Sequence, residues 1–115
     1  MATEKEEREQ RCLQISFGWQ KQTAELLTVA IDMADFLNEM RGSPRTQGME
    51  KLCESRARME QTIQITLTNL EATERSIIRM AGDRAYEVAQ GFLKSNATAM
   101  QAKKLLELSY ADVPK

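Results

Sequence analysis

Between Cys12 and Met40 an apolar residue returns every seven positions, through Cys12, Trp19, Leu26, Met33 and Met40. A second series lies three residues later and runs Ile15, Gln22, Val29 and Phe36, with Gln22 as its polar member. Paired apolar positions on a seven-residue step mark a long amphipathic helix with a coiled-coil-like seam. Ala30 and Leu37 widen the stripe in its second half. "TEKE" places Glu6 three residues after Thr3, a capping-box spacing, and acids in a first turn suit the helix dipole. The pattern therefore predicts a helix over about 3–41. Gly18 lies inside it, costs about 1 kcal/mol relative to alanine, and would permit a close approach beside Trp19. "RGSPRTQG" ends the helix, because Gly42 suits a left-handed position and Pro44 disfavours helix at Ser43.

After a loop at 42–48, a second helix is predicted over about 49–81. Its seam reads Met49, Leu52, Arg56, Met59, Ile63, Thr66, Leu70, Thr73, Ile77 and Met80. Arg56 can lie there with its stem on apolar surface and its head in water. The β-branched run "TIQITLT" is read as helix from its helical flanks. At Gly82–Asp83 two continuations are open. A left-handed glycine followed by an N-cap would turn the chain sharply, whereas a helix passing through Gly82 would keep it straight. A C-terminal helix follows over about 83–110, with "SNAT" a point where it could kink or divide.

Folding back at 42–48 makes an antiparallel hairpin in which Trp19 faces Leu70, Leu26 faces Ile63, and Gln22 meets Thr66. The polar pair would then share a hydrogen-bonded layer. Cys12 falls near residue 78, too far from Cys53 for a disulfide. A hairpin leaves one flank of each stripe uncovered, on the side carrying Ala30 and Leu37. A turn at Gly82 lets the C-terminal helix cover it, as an up-down-up three-helix bundle. A straight run gives an extended hairpin whose last helix needs another molecule. Either way the expectation is an all-α fold, one helical domain over residues 1–115.

Composition agrees: five Gly and two Pro in 115 residues leave few interruptions to helix. It also removes chemistry. With no histidine, the usual zinc sites, His-based triads and the Glu-x-x-His motifs of di-iron bundles are excluded. Cys12 and Cys53 are too far apart in sequence to form a metal-ligand pair, and no glycine-rich phosphate loop occurs. No catalytic, metal or cofactor residue is assigned, no small-molecule substrate is expected, and the chain does not read as an enzyme. The acid-rich N-terminus lacks the apolar core of a signal peptide, and no apolar run is long enough to span a membrane. A cytoplasmic location with reduced thiols is the corresponding expectation.

The formal net charge is −1, too balanced to advertise nucleic acid. Its distribution is uneven: Arg41, Arg45, Lys51, Arg56 and Arg58 form a candidate electrostatic patch around the hairpin turn. No aromatic residue interleaves with them as a single-strand platform would require. The leading expectation is a non-enzymatic interaction subunit or adaptor, packing through amphipathic helices on protein partners as a hetero- or homo-oligomer. Ile15, Trp19, Leu26, Val29, Met33, Phe36, Leu37, Phe92, Leu93 and Leu106 are its candidate packing and partner-interface residues. The alternative is a small helical binding chaperone, for which seven methionines supply an adaptable apolar surface. A nucleic-acid-associated module using the basic turn comes third.

Overall fold

In the computed structural model, described over residues 3–39 and 47–110, the chain is three long helices side by side. They are α1 (Glu4–Glu39), α2 (Gln47–Met80) and α3 (Ala85–Tyr110), with a single 3-10 turn at Gly82–Arg84 before α3. The molecule is a rod of 64 × 20 × 18 Å. The Thr3 hydroxyl accepts the Glu6 amide at 3.1 Å, which is the cap the "TEKE" spacing predicts. The expected loop at 42–48 lies largely outside the described residues.

The chain turns at Gly82, so the three-helix bundle is the continuation adopted. Gly82 has φ +53°, a left-handed conformation that L side chains rarely take. The turn is closed by Ala81 N–H donating to the Ile78 carbonyl at 3.2 Å and Arg84 N–H to the Ala81 carbonyl at 2.9 Å. A clasp from α1 fixes it further. The buried Glu9 carboxylate accepts the Asp83 amide at 3.3 Å, and Lys5 Nζ reaches Asp83 Oδ2 at 3.1 Å. Asp83, expected as an N-cap, thus serves as the partner of Lys5. Its hydrogen bond and charge, then Glu9, hold the Lys5 pKa above the ordinary 10.5. A raised lysine pKa favours the folded state at neutral pH, and that contribution fades only as pH climbs through the raised value. Past the turn, α3 runs unbroken through "SNAT".

The core has two centres. Towards the Gly82 end Cys12, Leu13, Leu70, Ala81, Val88 and Phe92 pack together, with Trp19, Ile77 and Ile78 against them. Further along, Ala30, Ile63, Ala102 and Leu106 form the second, flanked by Leu27, Met33, Met59 and Leu67. These groupings agree with the predicted hairpin register, which sets Trp19 near Leu70 and Cys12 near residue 78. Both cysteines are free.

Of the expected α1 seam only the first series is packed, with Cys12 buried and Trp19, Leu26 and Met33 half-buried. The expected second series is exposed: Ile15, Gln22, Val29 and Phe36 all face solvent. The buried line is instead Glu9, Ser16, Thr23, Ala30 and Leu37, also on a seven-residue step. The flank carrying Ala30 and Leu37 is therefore covered, and the opposite flank is not. The proposed Gln22–Thr66 layer does not form, since the Thr66 hydroxyl donates to its own helix at Thr62 O (2.8 Å).

The physical reason is the size of the residues on α3. Across from the buried line of α1, α3 presents Gly91, Ser95, Ala99 and Ala102, all buried. Small side chains on both helices let the backbones approach closely, and α1 accordingly makes its most extensive contact with α3. Its contact with α2, across Trp19, Met33 and Met59, is the least extensive of the three. Burial of the polar members is inexpensive because each hydroxyl is satisfied. Ser16 donates to Val88 O at 3.3 Å, Thr23 to Trp19 O at 2.9 Å, and Ser95 to Gly91 O at 3.0 Å.

The two mid-helix glycines differ sharply. A Cβ at Gly91 would lie 1.9 Å from Ser16 Oγ, whereas one at Gly18 would meet nothing within 4 Å. Gly18→Ala is expected to stabilise the protein by about 1 kcal/mol, from helix propensity alone. Chemical denaturation at low protein concentration measures it, and an unchanged or lowered midpoint would mean that Gly18 serves the fold.

Candidate interaction surface

The large apolar side chains that the fold leaves in water lie mainly on α1 and α3, and those of α1 fall on two lines. Ile15, Val29 and Phe36 are 39%, 49% and 50% exposed. They share one line of the helix because they are spaced by multiples of seven. Four residues on from the members of that line come Trp19, Leu26 and Met33, all half-buried. The line is thus the outer shoulder of the face that α1 turns towards α2. Phe17 and Ile31, exposed on the opposite shoulder, border the α3 side with Ala24 between them. A helix normally carries one apolar stripe towards its core. Here α1 carries a buried line and an apolar shoulder on either side of it.

Past the acidic first turn (Glu4, Glu6, Glu7), the exposed charges along α1 are segregated. From Arg8 to Lys21 the exposed ionic side chains are Arg8, Arg11 and Lys21, and from Glu25 to Glu39 they are Glu25, Asp32, Asp35 and Glu39. Glu4, Arg11, Gly18, Glu25, Asp32 and Glu39 form a single line on a seven-residue step, next to the Ile15–Phe36 line. Beside Ile15 the ridge is therefore bordered by Arg11, and beside Phe36 by the acids Asp32 and Glu39.

The candidate residues divide between core and surface. Leu37, Phe92 and Leu106 are fully buried and are used inside the chain. Trp19, Leu26 and Met33 are half-buried, while Ile15, Val29, Phe36 and Leu93 are exposed. Leu93 stands on α3 between Tyr86 and Met100, also on a step of seven and also exposed. Phe17, Ile31 and Tyr86 lie off the predicted stripes, although their spacing is visible in the sequence. They sit off the strongest stripe and so read as isolated outer positions.

The candidate basic patch is only partly within the described residues. Arg41 and Arg45 lie outside the described residues. Lys51 and Arg58 are exposed, but the half-buried Arg56 pairs with Glu60 of its own helix at 3.0 Å. A shallow cleft of about 600 Å³ is lined by Glu6, Glu7, Glu9, Gln10, Arg11, Gln14 and Arg84 at the Gly82 end of the rod. Its one buried acid, Glu9, is already engaged with the turn. Among the described residues no cluster of His, Cys, Asp or Glu could hold a metal ion, and no helix is long and apolar enough to cross a membrane. Comparison with protein-family models, with curated proteins and with solved structures gives no match.

Proposed function

We propose that this chain is a non-enzymatic interaction subunit whose α1 docks against helices outside the molecule. The observation that carries this reading is the apolar arc of α1, which extends beyond both sides of its buried line. A solvent-facing helix has no need of Ile15, Val29 and Phe36 at half exposure along one line. Completing their burial would supply roughly 2–4 kcal/mol, at about half of the 1.5–3 kcal/mol that fully burying each such side chain contributes. Together with the half-buried Trp19, Leu26 and Met33 beside them, these residues form a continuous strip rather than scattered surface apolars.

The test compares the wild-type chain with a Val29→Glu/Phe36→Glu variant. Both positions are exposed, so the variant should keep its helix content and unfold within about 0.5 kcal/mol of wild type. Tagged chains at native expression levels are cross-linked and their complexes sized. A complex formed by the wild type and lost in the folded variant is the expected result. Identical profiles from the two proteins would overturn the proposal.

A further inference from the structure

The occupant of this surface follows from its charge pattern, and this step rests on reading α1 as a docking helix. We infer that α1 pairs antiparallel with α1 of a second copy of the same chain, about a two-fold axis near Glu25. The apolar ridge is bordered by Arg11 beside Ile15 and by Asp32 and Glu39 beside Phe36, so the border of one end is complementary to that of the other. Laid antiparallel about that axis, Ile15 meets Phe36 of the second copy and Gln22 meets Val29. In the same register Arg11 faces Glu39 of the second copy, and two-fold symmetry repeats the contact at the other end. A parallel pairing would set acids against acids along the whole second half, where Glu25, Asp32, Asp35 and Glu39 have no intervening base.

Gly18 supplies an independent argument. It lies three residues from Ile15 and four from Gln22, on the line bordering the ridge. A Cβ there would meet nothing inside the protomer, yet glycine inside a helix is unfavourable. The other mid-helix glycine, Gly91, sits where two helix backbones come close. A second copy in the antiparallel register places its own helix over Gly18, opposite Asp32, and gives that glycine the same use. The register contains one mismatch, because Glu25 falls on the axis and faces its own counterpart.

Charge reversal tests the pairing directly. Full-length wild-type chain should approach twice the protomer mass with rising concentration in light scattering. Arg11→Glu and Glu39→Lys should each weaken the dimer about tenfold or more, since each places like charges in contact twice. Mixing the two variants should restore dimers, because only the mixed pair has opposite charges at both ends. Glu25→Gln should tighten the wild-type dimer by relieving the contact on the axis. A wild type that stays monomeric at every concentration overturns the inference, as does a pair of variants that weaken singly without recovering on mixing. In either case, loss of cross-linked complexes in Val29→Glu/Phe36→Glu would still support α1 as a docking surface for a different protein. Without that loss, both readings fall together.

Discussion

Phe92→Ala is expected to lower the free energy of unfolding by about 3–5 kcal/mol. The ring is fully buried on α3 and belongs to the cluster that gathers Cys12 and Leu13 from α1, Leu70 from α2 and Val88 from its own helix. Its removal thus subtracts contacts with all three helices at once. The cavity cannot close readily, because α1 and α3 are already in near contact through small residues and have little to move inward. Against a typical total of about 5–15 kcal/mol, a loss of this size brings the protein near its limit. Urea denaturation should show a lower midpoint with an unchanged slope, since the surface exposed on unfolding stays the same. A loss under about 1 kcal/mol would mean that Phe92 is not central to the core.

Gly91→Val should be nearly as damaging, by about 3 kcal/mol, through overpacking rather than a cavity. A Cβ at this position would stand 1.9 Å from Ser16 Oγ, 2.7 Å from Gln20 Nε2 and 3.3 Å from Ser16 Cβ. The Gln20 amide can swing away at little cost. Ser16 cannot, because its hydroxyl is buried against Val88 O and its Cβ is also too close. The two helices must separate, and every small-residue contact along them loosens. Ser16→Gly in the same chain should recover part of the loss, so the double variant should be less damaged than the two separate costs imply. Strict additivity would show that the two residues do not meet. Gly91→Val and the stabilising Gly18→Ala together make a pair of opposite sign from the same residue type in the same kind of helix.

Most of the fold was legible because its determinants are local. The Thr3 cap, the left-handed Gly82 and the seven-residue steps each act within a few residues of themselves. Which face of α1 would be buried was not legible in that way. Trp19, Leu26, Val29 and Phe36 are the more hydrophobic choice, and a hydrophobicity argument places the seam among them. What decides the matter is steric: Ser16, Thr23 and Ala30 are small, and so are Gly91, Ser95, Ala99 and Ala102 on a helix about seventy residues away. Nothing near Ser16 in the sequence announces Gly91. The interaction surface was obscured by the same fact, since a helix apolar on its buried line and on both shoulders does not say which line is the core. Leu37 and Phe36 are neighbours in sequence, and one is buried while the other is half exposed.

The partnership of α1 with α3 also has a consequence for how the protein is made. The most extensive interface joins the first helix to the last, and the hairpin partners that are near in sequence share the least. Such pairing raises the mean sequence separation of the contacts and so slows folding relative to a bundle held by its sequence-adjacent helices. During synthesis at about 5–20 residues per second, roughly 4–14 s separate completion of α1 from completion of α3. For that interval α1, with its buried line and two apolar shoulders, exists without the surface that shelters it. α1 is therefore the segment most in need of protection on the nascent chain.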